Sequence, residues 1–336
     1  MKTWLRKHPI LANSLVLALA LIFSVAVGSV FIPPQEVLQT LLGNPISSTT
    51  ATILYSIRLP HTFLIALTGA ALASSGAAYQ GLFRNPLADP YLIGVASGAG
   101  LGAVFVMAQA WPSDLLGFYA VPAAAFAGAL LAVLLVMAIA RVGKAVPVTT
   151  LLLAGVAVSS FATALSSFFM LYSNNELRRA LAWLLGGASL SGWHPVWAAL
   201  PYIAVGLIIL LLSGHQLNVL QMGEEQAQQL GLRVERVKLL LIVAASLAAA
   251  AAVAFSGMIG FVGLIVPHAM RLVWGGDYRL LLPLSVIGGA SALLLADLLA
   301  RWVLAPEVLP IGILTALAGV PFFLWLLRRT KAQLYW

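Results

Sequence analysis

Side chains that could catalyse a reaction or bind a metal ion are few in this sequence, and their spacing favours neither. No two of the five histidines lie four residues apart, the spacing that brings two imidazoles to one metal ion on a helix. There is no cysteine, so a thiolate nucleophile or a sulfur-ligated metal is excluded. We therefore expect no catalysis by this chain alone and no cofactor or metal bound to it. The histidines are His8, His61, His194, His215 and His268.

The pair Gly143-Lys144 is the nearest approach to a phosphate-binding loop. Such a loop needs Ser or Thr after the lysine and an earlier glycine at a fixed distance. Here Ala145 follows the lysine, and Ala138 stands where the earlier glycine should be. If ATP drives this protein, ATP and Mg²⁺ must therefore bind to another polypeptide.

One polar segment interrupts a sequence that is 62% hydrophobic and only 8% charged. Glu224 and Glu225 open a short helical pattern there, and Gly231 suits its C-terminus. Ala227 and Leu230 give this helix one apolar stripe. It is too short and too polar to enter lipid, so we expect an exposed helix that another protein contacts. The residues assigned to that contact are Met222, Gly223, Glu224, Glu225, Ala227, Gln229, Leu230, Gly231 and Leu232.

The elements that position this helix are membrane spans. A mean hydropathy of +1.01 excludes a soluble globular protein, and a spanning helix needs about 20 apolar residues. The runs do not alternate as the strands of an outer-membrane barrel do. We predict an all-α polytopic membrane protein, one domain over residues 1–336, with a cytoplasmic segment at 214–236. The ten predicted spans lie near residues 10–32, 62–80, 91–110, 118–141, 149–171, 195–213, 237–256, 258–274, 280–303 and 311–327.

The net charge of +8 is distributed as a topology signal and does not indicate nucleic-acid binding. With the N-terminus placed in the cytoplasm, 14 of the 18 Lys and Arg residues fall on the cytoplasmic side. This excess predicts that both termini are cytoplasmic. The basic residues left outside are Arg58, Arg178, Arg179 and Arg301.

A weak internal repeat links the two halves of the chain. Residues 70–76 agree with 251–257 at five of seven positions, and Leu-Ala-Gly-Val recurs at 153–156 and 317–320. Both pairs lie five spans apart, an odd number, so the copies run in opposite directions. This predicts inverted repeats of spans 2–5 and 7–10, a feature of many transporters. The alternative is chance similarity between helices rich in Ala, Leu and Gly.

Several ordered motifs resemble the FecCD-type permeases, the membrane subunits of ABC importers for iron chelates, haem and vitamin B12. They are Arg58-Leu-Pro, Gly69-Ala-Ala-Leu-Ala-Ser-Ser-Gly76, Arg84-Asn-Pro-Leu-Ala-Asp-Pro90 and Gly260-Phe-Val-Gly-Leu-Ile-Val-Pro-His268. The resemblance implies a fold like the vitamin B12 importer permease, in a bacterial inner membrane. It implies a homodimer with two ATPase subunits beneath it and a periplasmic or lipid-anchored binding protein outside. It does not identify the chelate.

The resemblance also implies roles for individual residues. The segment 214–236 would be the coupling region that docks on the ATPase, where Glu224 and Glu225 accept bonds from basic groups or serve only as helix charges. Arg58 and Arg301 match positions that dock the binding protein. His61 stands where the family usually has Arg, so its contact would be weaker or would strengthen at low pH. Arg301 could instead pair with Asp297 four residues earlier.

Spans five and ten should line the translocation path, by the same resemblance. On span five, Ser159, Thr163 and Ser166 share one face and could offer hydroxyls to a polar substrate. Alternatively they donate to carbonyls of their own helix.

Two other functions compete with an ATP-driven importer. An ion-coupled secondary transporter could use Asp297 and Arg301 as a charge relay. A membrane scaffold would bind partners without moving substrate.

Overall fold

The computed structural model describes residues 8–28, 32–43, 47–109, 119–143, 145–172, 177–186, 192–305 and 307–334. All elements of regular structure in these ranges are helices. The first half contains α1 Pro9–Ala26, α2 Pro34–Leu41, α3 Ser48–Thr52, a π-helix Ile53–Arg58, α4 Leu59–Leu82, a 3₁₀ helix Pro90–Ile93, α5 Val95–Ala108, α6 Ala120–Ala140 and α7 Val148–Tyr172. The second half contains α8 Leu177–Leu184, α9 His194–Leu212, α10 Gly214–Leu220, α11 Glu224–Gln229, α12 Val234–Ser256, α13 Val262–Trp274, α14 Tyr278–Val303 and α15 Ile311–Leu334.

The helices confirm the all-α membrane architecture. Seven described helices are long and apolar enough to cross a membrane, and three shorter apolar helices are α5, α13 and the first part of α15. Together they coincide with the ten predicted spans. Two of them begin four residues later than predicted. The 3₁₀ helix and Gly94 (φ +88°) precede α5, and Gly257 (φ +74°) and Phe261 (φ +68°) precede α13. These left-handed residues turn the chain before each helix starts.

The contacts between helices are those expected from the predicted inverted repeat, in which spans 2–5 correspond to spans 7–10. Helix α4 packs on α14, and its counterpart α12 packs on α6, the counterpart of α14. Likewise α5 packs on α6, and α13 packs on α14. Helices α4 and α12 meet at the centre, where Ser75 Oγ donates to the Ala245 carbonyl at 2.9 Å and Tyr79 Oη lies 2.8 Å from Ser246 Oγ. An arrangement with the same contacts after this exchange is what inverted repeats produce.

Backbone contacts between α4 and α14 depend on two glycines. A Cβ added at Gly69 would overlap the Gly289 carbonyl oxygen, and a Cβ at Gly289 would overlap that of Gly69. Helices in lipid associate by close packing because burial from water no longer drives them together. The two glycines let these two helices approach at backbone distance.

A proline in α13 leaves a backbone carbonyl without its helical donor, and a side chain of α4 supplies one. Pro267 has no N–H, so the Gly263 carbonyl loses its helical donor. The buried amide of Gln80 supplies Nε2, 3.4 Å from that oxygen and 3.1 Å from the Leu264 carbonyl. His268, the residue after Pro267, packs its ring edge-on against Phe322 at 6.0 Å. Within the described part of the chain neither of its ring nitrogens has a hydrogen-bond partner.

Candidate coupling segment and outer cluster

Helix α11 has the boundaries expected from its sequence. Gly223 precedes it with φ +115°, and Gly231 follows its last turn with φ +85°. The Leu232 N–H bonds the Ala227 carbonyl at 2.9 Å, and the Gly231 N–H bonds that of Gln228 at 2.9 Å. These two bonds form a Schellman motif, in which a left-handed glycine ends a helix. The predicted role of Gly231 as a helix terminator is thus confirmed.

The apolar stripe of α11 divides into a buried part and an exposed part. Ala227 is completely buried, whereas Leu230 is 64% exposed and Met222, just before the helix, is 60% exposed. Glu225 and Gln229 are exposed and Leu232 is partly buried. Ala227 therefore holds the helix against the protein, while Met222 before the helix and Leu230 after it are exposed apolar side chains. We call Met222 and Leu230 the docking pair.

Two side chains that the sequence analysis did not single out fasten this region to the transmembrane helices. Gln221 Nε2 donates to the carbonyl of Gly81, in the last turn of α4, at 2.8 Å. Asn218 Nδ2 donates to Asp277 Oδ1 at 2.6 Å, and its Oδ1 accepts from the Tyr278 N–H at 2.8 Å. The partners are 140, 59 and 60 residues away in sequence, so no local pattern indicates these contacts. The coupling segment is thereby joined to α4 and to the start of α14.

Asp277 caps α14 and is an acid of lowered pKa at the same end of the molecule. The Asn218 amide, followed by the N–H and guanidinium of Arg279, lowers the pKa of Asp277 to about 2. Arg279 Nη2 lies 3.3 Å from Asp277 Oδ2, with both side chains largely exposed. The carboxylate is therefore ionised throughout the physiological range.

Glu224 forms an ion pair within the chain, although its side chain is 41% exposed. The ammonium of Lys238, a side chain only 4% exposed, lies 3.2 Å from Glu224 Oε2 and 3.0 Å from Glu235 Oε1. Glu235 Oε2 in turn accepts from the Val146 N–H at 3.1 Å. Of the two adjacent glutamates, Glu224 is thus paired with Lys238, whereas Glu225 is exposed on the helix surface.

The three residues predicted to dock a binding protein lie together at one cluster, around Asp297. The carboxylate of Asp297, 2% exposed, has His61 Nε2 at 2.9 Å and Arg301 Nη2 at 2.7 Å. Arg58 is 7% exposed, and its Nη1 donates to the carbonyls of Val25 and Ala26 at 2.8 and 2.9 Å.

Arg301 contacts the same end of α1 as Arg58. Its Nη1 lies 3.2 and 3.0 Å from the carbonyl oxygens of Ser24 and Val27. The last carbonyls of a helix have no intrahelical donors and attract cations. Arg58 and Arg301 therefore hold the C-terminal end of α1 in place. The predicted pairing of Arg301 with Asp297 is present, and binding-protein docking stays a prediction.

The hydroxyls predicted to line the path largely bond within the protein. Thr163 Oγ1 donates to the Ser159 carbonyl at 2.8 Å, and Ser166 Oγ donates to the Ala162 carbonyl at 2.8 Å. Ser159 Oγ accepts from Ser97 Oγ at 3.1 Å. These bonds match the alternative that the sequence left open. Ser166 is also buried, so the three residues do not share one exposed surface.

A different face of α7 carries small polar side chains on the outside of the chain. Ser160, Thr163 and Ser167 are all exposed and lie at helical spacing. Thr163 is thus the one member of the predicted set that lies on this face. Ser160 and Ser167 were not predicted because Ser and Thr also occur on neighbouring faces of this helix, so spacing alone does not mark the exposed face.

Comparison with known proteins is consistent with this architecture. The FecCD transport family matches residues 16–329. The cobalamin import system permease protein BtuC of Halobacterium salinarum is 51% identical over 288 residues, covering 86% of this chain and 76% of its own. The hemin transport system permease protein HmuU of Yersinia pestis is 42% identical over 281 residues, covering 83% and 84%.

The fold also matches that of a solved structure. A solved structure described as an inward-facing conformation of a metal-chelate type ABC transporter superposes with a TM-score of 0.85. It is 30% identical and covers 96% of this chain and 99% of that one. The match over nearly the whole sequence agrees with ten apolar helices and a short polar helix between α9 and α12. This chain is a multi-pass membrane permease that belongs to the FecCD transport family.

Proposed function

We propose that the chain is the permease subunit of a binding-protein-dependent ABC importer for a bulky metal chelate. The candidates are a ferric siderophore, haem or cobalamin, in line with the relatives named for cobalamin and hemin transport. Two copies form a homodimer around the path, and ATP and Mg²⁺ bind to two separate ATPase subunits. ATP-driven closure of those subunits alternates the path between its outward and inward states.

The observation that carries the proposal is the docking pair. Met222 and Leu230 are large apolar side chains, 60% and 64% exposed, and they flank a helix too short to span a membrane. Exposed apolar side chains rimmed by polar ones mark protein contacts. Arg84 lies beside Gly223, the residue after Met222, since a Cβ at Gly223 would be 3.7 Å from Arg84 Nη1. The segment thus offers exposed apolar side chains close in sequence to polar and charged ones, which suits docking on an ATPase.

Rigid attachment suits this surface to transmit motion. Gln221 and Asn218 fix the segment to α4 and to the start of α14 by hydrogen bonds of 2.8 and 2.6 Å. A docking surface on a loose loop would move without moving the helices behind it. Here a displacement of the docking pair pulls directly on two transmembrane helices.

We place the docking pair on the cytoplasmic side of a bacterial inner membrane, with both termini on that side, as the distribution of Lys and Arg predicts. His61 and Arg301, 23% and 14% exposed, are then the accessible members of the outer cluster. They remain our candidates for contact with the periplasmic or lipid-anchored binding protein. The exposed face of Ser160, Thr163 and Ser167 would face the path between subunits.

Co-purification with a candidate ATPase subunit from the same genome tests the docking proposal. Leu230→Asp and Met222→Asp should abolish recovery of the ATPase, because each places a charge at the centre of the contact. Gln228→Ala, an exposed change in the same helix at a residue outside the assigned contact set, serves as the matched control and should retain most of it. Equal recovery with all three variants would contradict docking through this pair.

Uptake into proteoliposomes tests the substrate class and the competing functions. The full complex with its binding protein should accumulate one of cyanocobalamin, hemin or ferrichrome, and only with internal ATP. Uptake that is abolished by ionophores and independent of ATP would favour a secondary transporter. Asp297 argues against that reading, because its carboxylate is already engaged by both His61 and Arg301. A complex that assembles yet accumulates none of the probes would favour a scaffold.

A further inference from the structure

Lys238 occupies an unusual position for a lysine. It lies in the second turn of α12 with its side chain 4% exposed. A buried ammonium is costly unless it is paired, and this one contacts two carboxylates. The two carboxylates come from different elements: Glu224 begins α11, and Glu235 lies in the first turn of α12. Lys238 therefore joins the coupling helix to the end of a transmembrane helix.

The connection continues from α12 to α7. Glu235 uses one carboxylate oxygen for Lys238 at 3.0 Å and the other for the Val146 N–H at 3.1 Å. Val146 is followed by Pro147, whose ring fixes its own φ and restricts the residue before it. The Pro147 carbonyl accepts from the Leu151 N–H at 3.0 Å in the first turn of α7. A stiff segment thus links the Glu235 carboxylate to that helix.

Thr150 ties the first turn of α7 to the end of α6. Its hydroxyl lies 2.9 Å from both the Pro147 carbonyl and the Ala140 carbonyl at the end of α6. The turn between α6 and α7 is closed by two backbone bonds between Val142 and Ala145, of 2.9 and 3.1 Å. Motion delivered to Val146 therefore moves α7 together with the end of α6.

We propose that Lys238 is a positioning residue that transmits displacement of α11 to α7 through Glu224, Glu235 and Val146. The inference rests on the proposed docking of an ATPase at the coupling segment. Gln221 and Asn218 connect that segment to α4 and α14, whereas the Lys238 connection reaches the helix predicted to line the path. Loss of Lys238 should leave ATPase docking intact, because Met222 and Leu230 are untouched, and should stop the response of α7.

The cysteine-free chain allows this response to be measured directly. Ser160→Cys, on the exposed face of α7, is labelled with a maleimide fluorophore in nanodiscs containing the ATPase. Labelling rates are compared without nucleotide and after trapping with ATP and vanadate. We expect a nucleotide-dependent change in the Ser160→Cys protein and its loss when Lys238→Met is added. Lys238→Arg keeps the cation and should restore the change.

Two further variants separate this role from a purely structural one. Arg236→Met removes an exposed cation from the first turn of α12, at a residue outside the assigned contact set, and should leave the labelling change intact. Glu235→Ala breaks the connection at a side chain that is 36% exposed, so it provides the test if Lys238→Met fails to fold. Glu235→Ala should also abolish the change while the ATPase stays bound.

Different results would contradict the role of Lys238 and the proposed docking of an ATPase. A nucleotide-dependent change that persists in both Lys238→Met and Glu235→Ala overturns the inference alone. Absence of the change in the Ser160→Cys parent, or failure of that parent to bind the ATPase, contradicts the proposed function and the inference together.

Discussion

The side-chain amide of Gln221 donates to the carbonyl oxygen of Gly81 at 2.8 Å, across 140 residues of sequence. Gly81 belongs to the last turn of α4, where its carbonyl accepts no hydrogen bond from the N–H four residues later. One hydrogen bond thereby joins the end of α10, next to the docking pair, to the most central helix of the protein. Motion of the coupling segment can therefore reach α4 through this hydrogen bond.

Gln221→Ala should reduce transport more than it reduces stability. A single hydrogen bond of this kind contributes about 0.5–1.5 kcal/mol to the free energy of unfolding. We expect a small fall in the unfolding midpoint in detergent, normal ATPase recovery, and fewer substrate molecules transported per ATP hydrolysed. Gln228→Ala, in the exposed part of α11, is the control and should change none of these. An unchanged transport ratio in Gln221→Ala would show that this bond does not carry force.

Gly289→Ala should disrupt the contact between α4 and α14. The added methyl group would overlap the carbonyl oxygen of Gly69, and neither helix can move aside in a packed bundle. Overpacking of this kind costs about 1–3 kcal/mol or more. Thermal unfolding in detergent should show a clear loss of stability or of monodisperse protein. Gly276→Ala, where no atom lies within 4 Å of the added carbon, should behave as wild type.

The sequence predicted the helices well because each span is a continuous apolar run that only a helix can carry through lipid. It also predicted the end of α11, since Gly231 adopts the left-handed conformation that the Schellman motif requires. Boundaries next to Gly94 and Phe261 were missed by four residues. A positive φ at a residue such as Phe261 depends on tertiary contacts and cannot be inferred from residue type.

The candidate site was only partly predictable, because its important contacts are long-range. Glu224 was correctly placed on a short polar helix, yet its partner Lys238 lies 14 residues away in another helix. The sequence shows Arg58 as a cation near the start of a membrane span. In the structure its guanidinium donates to a carbonyl at the end of α1. Charge and spacing identify which residues are unusual, and packing decides which of them remain available to a partner.

Acid should weaken the joint between the coupling segment and α14. Asp277 has its pKa lowered from 3.8 to about 2 in the folded protein, first by Asn218. A lowered pKa contributes stability that is present above the unfolded value and is lost as the pH falls through the folded value. We expect the stabilisation by Asp277 to be constant between pH 5 and 8, and to be lost between about pH 4 and pH 2. Unfolding midpoints of wild type and Asp277→Asn across this range measure it. The difference between the two proteins should shrink in acid, and a constant difference would contradict the assignment.

Arg58→Met distinguishes a structural arginine from a docking one. Its Nη1 bonds the carbonyls of Val25 and Ala26, and a buried carbonyl that loses its donor costs about 1–3 kcal/mol. We therefore expect a lower unfolding midpoint in detergent, in the absence of any binding protein. Arg178→Met removes an exposed cation predicted to lie on the same side of the membrane and should leave the midpoint unchanged. If Arg58→Met instead keeps the wild-type midpoint and weakens binding of the binding protein, Arg58 docks that partner and the end of α1 is held by Arg301 alone.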